Sequence, residues 1–173
     1  SLESIPLSEI DPGWGTEVNS GDYNSLASFG QYAVQRFKAS HYSLFLFNHG
    51  GGLDGVIWDD QTSTHMTPCQ VASAISSIVS ANGGIRFDIV TFEACLMGMM
   101  EVAYEIRNYG NIMVASEKTM WGSSWELFQP AGLLRYGTFL QDLKNNPSMS
   151  DRNLAIEIVD SYADFWQTNH AQL

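Results

Sequence analysis

Phe87-Asp88-Ile89-Val90-Thr91-Phe92 runs straight into Glu93-Ala94-Cys95. Its β-branched and aromatic side chains, with Asn82-Gly83-Gly84 just upstream, read as a short buried strand. Downstream, Leu96, Met99, Ala103 and Ile106 recur at helical spacing, and Asn111-Ile112-Met113-Val114-Ala115 reads as the next strand. Upstream, Thr67-Pro68-Cys69-Gln70 has the form of a helix start. Thr67 can cap, Pro68 suits the first helical position and Gln70 can bond back. Val71, Ala74, Ile75 and Ile78 give that helix its apolar face. Earlier still, Tyr42-Ser43-Leu44-Phe45-Leu46-Phe47 reads as a buried strand that stops at Asn48-His49-Gly50-Gly51-Gly52. Leu26, Phe29, Ala33, Val34 and Phe37 precede it at helical spacing, with Asn24 or Ser25 as the expected cap. This alternation of helix and strand predicts an α/β fold around a mostly parallel sheet. In such sheets, sites form at the carboxyl ends of strands, where His49 and Cys95 both fall.

The outer segments are less informative. Residues 1–24 read as a loop-rich lead-in, 25–127 as the core and 128–173 as a helical carboxyl portion of one domain. Helical patterns lie near Ala131 to Leu143 and Asp151 to Gln167. The stretch through Asp54, Asp59 and Asp60 reads as a polar loop. The chain opens on Ser1 with no charged-then-apolar leader, which we read as a processed or excised part of a longer protein.

Lys and Arg total 8 against 19 Asp and Glu, a formal net charge of −11. Nucleic acid and anionic membrane are therefore unfavourable partners, since phosphate binding needs clustered positive charge. The apolar runs are too short to span a bilayer, so a soluble protein is expected. Two cysteines cannot build a disulfide scaffold, although a Cys69–Cys95 bridge is open to an oxidising compartment.

Attack of cysteine on an amide needs a thiolate, a proton donor for the departing amine and donors for the oxyanion. Cys95 is expected at a strand-to-helix junction, where a helix amino terminus favours the thiolate. An imidazole can exchange a proton near neutral pH, so His49 is the candidate to carry it. The glycines after it let a backbone N–H approach a substrate carbonyl, making Gly50 and Cys95 the natural oxyanion donors. Taken singly, a His beside glycines is usually a turn residue and a Cys after a strand is usually inert. Their joint placement at strand ends of one sheet favours chemistry over both.

Phe47-Asn48-His49-Gly50-Gly51-Gly52 and Phe92-Glu93-Ala94-Cys95-Leu96-Met97-Gly98 resemble the two signature segments of the clostripain family of cysteine peptidases. Leu26 to Phe29, Trp58-Asp59-Asp60, Glu101 to Glu105, Ala115-Ser116-Glu117 and Trp121-Gly122 extend the resemblance over roughly Asp22 to Leu127. It implies a caspase-like three-layer α/β sandwich and a dyad of His49 and Cys95. The two lie 46 positions apart, near the spacing of roughly 50 known for caspases. It also implies a bacterial, secreted or cell-envelope setting. Relatives begin with a further strand that is not in this chain, so the sheet is either truncated at its amino end or completed by another piece.

Glu93, two residues before Cys95, shares its face on an extended backbone. A carboxylate about 7 Å from the thiolate costs about 2 kcal/mol at an effective dielectric of 20, a penalty that a substrate cation would relieve. The resemblance points the same way, to cleavage after Arg or Lys. The family commonly has Asp here, and the longer Glu shortens the pocket or favours Lys. Otherwise Glu93 is simply paired internally. Ser116 and Trp121 are expected to wall the pocket, with core packing the plainer role for Trp121. Relatives often cut themselves between His and Cys, where only Arg86 is basic here, at the start of a strand.

Rival readings are weaker. Gly50-Gly51-Gly52-Leu53-Asp54-Gly55 fits G-x-G-x-x-G, yet no helix follows to hold a pyrophosphate. His65 and Cys69, even joined by His49 and Cys95, form a zinc set only on paper. A phosphatase loop needs an Arg soon after Cys95, and Arg107 is too distant. Asp54, Asp59 and Asp60 lack EF-hand spacing and read as a solvated turn, so no cofactor is expected to be required, with calcium left open because some relatives depend on it. A catalytically silent module that binds basic peptides is the serious competitor. The expectation is a monomeric endopeptidase acting on peptides or proteins with basic residues.

Overall fold

The computed structural model describes residues 4–120 and 136–169. Three parallel strands form the central sheet: β1 (Ser43–Phe47), β4 (Phe87–Glu93) and β5 (Gly110–Val114), in the order β1-β4-β5. Two more strands, β2 (Val56–Asp59) and β3 (Thr64–Met66), make a separate antiparallel hairpin.

Helices cover both faces of the sheet. On one side, α2 (Tyr23–Arg36), α3 (Pro68–Ala81) and α4 (Met100–Ile106) bury Val34, Ile75, Ile78 and Val102 against Leu46, Val90 and Phe92. On the other, α5 (Tyr136–Asn145) and α6 (Asp151–Asn169) bury Phe139, Ala155 and Ile158 against Ile89, with Phe45, Ile112 and Val114 packed around them. The period-two alternation of strand side chains divides β4 between the two cores, giving the expected three layers. At the amino end of β4, His41 Nδ1 lies 3.3 Å from Asp88 and 3.8 Å from Asp151, clasping α6 to the sheet.

The expected start of α3 forms as a full capping box: Gln70 N–H donates to Thr67 Oγ1 at 3.3 Å and Thr67 N–H to Gln70 Oε1 at 2.9 Å. The cap of α2 differs from expectation. Asp22 holds it, accepting from Asn24 N–H at 2.9 Å, because its backbone is still extended when its carboxylate reaches the first turn. A short helix, α1 (Leu7–Ile10), interrupts the loop-rich lead-in. Where α2 crosses α3, Gly30 leaves no room for a side chain: a Cβ there would stand 2.2 Å from Ile78 Cδ1.

The stretch expected to be a polar loop folds into the β2–β3 hairpin around a buried Asp59, which is 8% exposed and no solvated turn. Strands of four and three residues leave too little alternation to read from sequence. Asp59 Oδ1 accepts from Gln61 N–H, Thr62 N–H and Thr62 Oγ1, while Oδ2 accepts from Ser20 N–H and Ser20 Oγ. The Thr62 and Ser20 N–H groups lower its carboxyl from 3.8 to about 2, against an opposing contribution from burial.

Because the folded-state value is depressed, Asp59 stabilises the fold above the unfolded value and that contribution is lost as pH falls through the window between 3.8 and about 2. Thermal melts across this window are expected to show a steeper fall in midpoint for the wild-type chain than for Asp59→Asn. Parallel slopes would remove Asp59 from the acid response. Gly30→Val is expected to cost about 1–3 kcal/mol in a denaturant titration, by overpacking against Ile78.

Candidate active site

The register of the central sheet brings the two sequence-distant segments together. Phe47 of β1 pairs with Glu93 of β4, so two residues further on His49 and Cys95 emerge at the same rim from adjacent parallel strands. Asn48 N–H donates to the Glu93 carbonyl at 3.4 Å and continues the pairing past the strand ends. Gly50 then packs directly on the Cys95 backbone. A Cβ at Gly50 would lie 2.2 Å from the Cys95 carbonyl oxygen and 3.0 Å from its nitrogen, so only glycine fits. Among the described residues, neither the Gly50 nor the Cys95 N–H meets an acceptor. The close packing keeps the main chains of Gly50 and Cys95 together at this rim.

Cys95 is not at a helix amino terminus, contrary to the sequence expectation. The helix α4 starts only at Met100, and Cys95 lies in a turn. Leu96, immediately after it, has φ 61°. The intervening residues are drawn instead to the segment after β5. Leu96 N–H donates to the Lys118 carbonyl at 3.1 Å and Gly98 N–H to that of Ser116 at 2.8 Å. A Cβ at Gly98 would lie 2.8 Å from the Ser116 carbonyl carbon. These cross-links outcompete the helical turn. The sulfur receives a hydrogen bond from Met120 N–H at 3.2 Å and the thiol donates to the Met120 carbonyl at 3.7 Å, so the main chain of one residue stands where a helix end was expected. No His49–Cys95 hydrogen bond occurs among the described residues.

His49 is exposed at the rim. Its main chain is held on both sides: its N–H donates to Asn48 Oδ1 at 2.6 Å, and its carbonyl accepts from Ile57 N–H at 3.0 Å. Ile57 has φ 59°, a left-handed conformation for a β-branched residue. Such strain costs on the order of 1–3 kcal/mol and gathers at functional sites. An open depression of about 280 Å³ beside His49 is lined by Gly50, Gly51, Asp54, Trp58 and Asp60. The Trp58 ring is braced by stacking on His65, with centroids 4.6 Å apart and planes 9° from parallel.

Glu93 is buried, 2% exposed, on the face of β4 that Thr91 shares and that α5 and α6 cover. Ser116 shapes the loop through its carbonyl and through Oγ, which accepts from Lys118 N–H at 3.1 Å. Trp121 lies outside the described residues. Both cysteines are free, which removes the Cys69–Cys95 bridge. His49, His65, Cys69 and Cys95 do not converge. Among the described residues the ligand-bearing cluster is His41, Asp88 and Asp151, at the far end of β4 from Cys95. Arg86 is at that end too, donating to the carbonyls of Arg107 and Gly110. The seven residues of β4 separate it from Cys95 by about 23 Å, at about 3.3 Å per residue. Sequence reasoning missed Asn48, Trp58 and Met120 as parts of the site. A polar residue at the end of an apolar strand was a usable signal for Asn48, whereas the contribution of Met120 is made by its main chain and has none.

The sequence profile of the Clostripain family matches residues 3–172. Clostripain from Hathewaya histolytica is 32% identical over 126 residues, 64% of this chain and 24% of that protein. Among solved structures, a secreted C11 cysteine protease from Bacteroides thetaiotaomicron, bound to an irreversible peptide inhibitor, superposes with TM-score 0.66 at 20% identity, over 88% of this chain and 39% of its own. An inactive zymogen C11 protease from Parabacteroides distasonis gives TM-score 0.59 at 19% identity, over 90% and 39%. The chain thus spans about a quarter of the curated relative and two fifths of the solved ones, and its three-layer α/β architecture is the caspase-like fold of these proteases. With a profile match over nearly its whole length, the chain belongs to the clostripain family.

Proposed function

We propose that this chain is the core of a cysteine endopeptidase that hydrolyses peptide bonds after a basic residue. The observation that carries the reading is the packing of Gly50 on the Cys95 backbone, with neither N–H bonded among the described residues and His49 on the same rim.

In this reading, His49 takes the proton of the Cys95 thiol and the sulfur attacks the substrate carbonyl carbon. The oxyanion forms against the N–H groups of Gly50 and Cys95, in a geometry set before the substrate arrives. Protonated His49 then delivers its proton to the leaving amine, and a thioester remains on Cys95. Water, deprotonated by His49, attacks the thioester and restores the thiol. These steps require no cofactor. Of the three aspartates open to calcium, Asp59 has both oxygens engaged by Ser20, Gln61 and Thr62, which leaves Asp54 and Asp60 beside His49.

Glu93 is the proposed specificity carboxylate. It is two residues from Cys95 on one face of β4 and is shielded from water, so a substrate cation would meet a little-screened charge. Ser116, and Trp121 with it, complete the proposed pocket. We further propose a monomer that works outside the cell or in its envelope on peptides with exposed Lys or Arg. Among the described residues, no helix is long and apolar enough to cross a membrane. The second reading, a silent module that binds basic peptides, is favoured only by the fraction of its relatives that the chain spans.

Two measurements test the proposal. Cys95 is expected to react with iodoacetamide much faster than the exposed Cys69, and Cys95→Ala or His49→Ala should lower peptide hydrolysis at least about a thousandfold. Equal slow labelling of both cysteines would select the binding module. On fluorogenic peptides differing only before the scissile bond, Lys and Arg should exceed Leu and Glu by at least about tenfold, and Glu93→Gln should narrow that gap. A preference for acidic or apolar residues overturns the role of Glu93.

A further inference from the structure

We propose that Asn48 is a positioning residue for His49, and that the left-handed bulge at Ile57 is the other half of the same device. The inference rests on the peptidase reading and extends it to a side chain that touches no substrate.

In a regular strand, successive N–H groups point to opposite sides. The N–H groups of Ile57 and Trp58 instead both reach the His49 segment, that of Ile57 to the His49 carbonyl at 3.0 Å and that of Trp58 to Asn48 Oδ1 at 3.0 Å. The cause is the φ of 59° at Ile57, which turns consecutive N–H groups toward a common side and shifts the β2–β3 register between Val56 and Asp59. Asn48 Oδ1 receives a second bond, from His49 N–H at 2.6 Å. One amide oxygen thereby locks the residue bearing the imidazole to the hairpin, while the Asn48 N–H locks it to β4 through the Glu93 carbonyl. The main-chain donor and acceptor of His49 are both consumed, although its side chain is exposed at the rim. Rotation of the His49 peptide would break bonds on both sides at once. Gly51 N–H, donating to the Gly55 carbonyl at 2.9 Å, closes the same loop just beyond.

A residue that only ended β1 would need one bond, and the Asn48 N–H already supplies it. The side chain adds two more, both directed at the chain beside His49. It acts on the proton-transfer step through the orientation of the imidazole and leaves the binding of the acyl half of the substrate to Glu93 and the Cys95 loop.

The test measures kcat, KM and the pH profile of kcat/KM for Asn48→Ala and Asn48→Asp on a peptide with a basic residue before the scissile bond. Asn48→Ala should lower kcat about 10- to 100-fold, the scale of a small misplacement of a catalytic group, with KM within about threefold of wild type. Asn48→Asp keeps an oxygen for both N–H donors. It should recover most of the lost kcat and, by adding a negative charge near the imidazolium, move the histidine limb of the profile to higher pH. If Asn48→Ala fails to fold, the Asp variant alone decides through that limb. The proposal is overturned if kcat of Asn48→Ala stays within about threefold of wild type, or if the Asp variant shows no displaced limb. Wild-type chain that neither cleaves nor labels at Cys95 would instead defeat the peptidase reading itself.

Discussion

Parallel pairing of β1 with β4, with Phe47 opposite Glu93, is the constraint on which the rest of the site depends. Both strands end together, so the chain leaves the sheet twice at one rim, carrying His49 and Cys95. A slip of one residue would turn each side chain to the opposite face of the sheet. The register is held by burial on both faces, since β4 alone contributes Val90 and Phe92 to one core and Ile89 to the other. Stability and the geometry of the proposed chemistry therefore have the same origin.

Beyond the strand ends, regular structure gives way to loops that bind one another. The turn after Cys95 is bonded to residues 116–120, and the segment after β1 is bonded to the β2–β3 hairpin. Each loop includes a non-glycine residue in the left-handed region, Leu96 at φ 61° and Ile57 at φ 59°. Such conformations persist only where the surroundings over-determine them, and here the surroundings are hydrogen bonds from neighbouring segments. The apolar core supplies the free energy that tolerates them. Asp59 anchors the hairpin in turn by tying it to Ser20 in the lead-in, so a residue remote from the rim supports the support of His49.

Much of this was legible in the chain. The strands around Phe45 and Ile89, the capping box at Thr67 and the helix from Asp151 all follow from patterns within one segment. The misread parts share a cause. The hairpin at Val56 to Met66 is too short for periodicity, and the turn after Cys95 carries the apolar spacing of a helix. In both places a partner far away in sequence decides the local conformation: Ser20 for the hairpin, Ser116 and Lys118 for the turn. Local propensity is a weak prior when such a partner competes for the same N–H.

The sequence by itself determined the alternation of helices and strands, hence a parallel sheet with His49 and Cys95 at its carboxyl rim, and it held the segments by which the family is recognised. Tertiary structure alone decided what surrounds those residues. Nothing within either segment says that Gly50 touches the Cys95 backbone, that Met120 donates to the sulfur, or that Asn48 and the bulge at Ile57 grip His49 from two sides. The reason is physical. Periodicity and capping are set by neighbours along the chain, whereas a hydrogen bond between loops depends on distances fixed only when the sheet has closed in register.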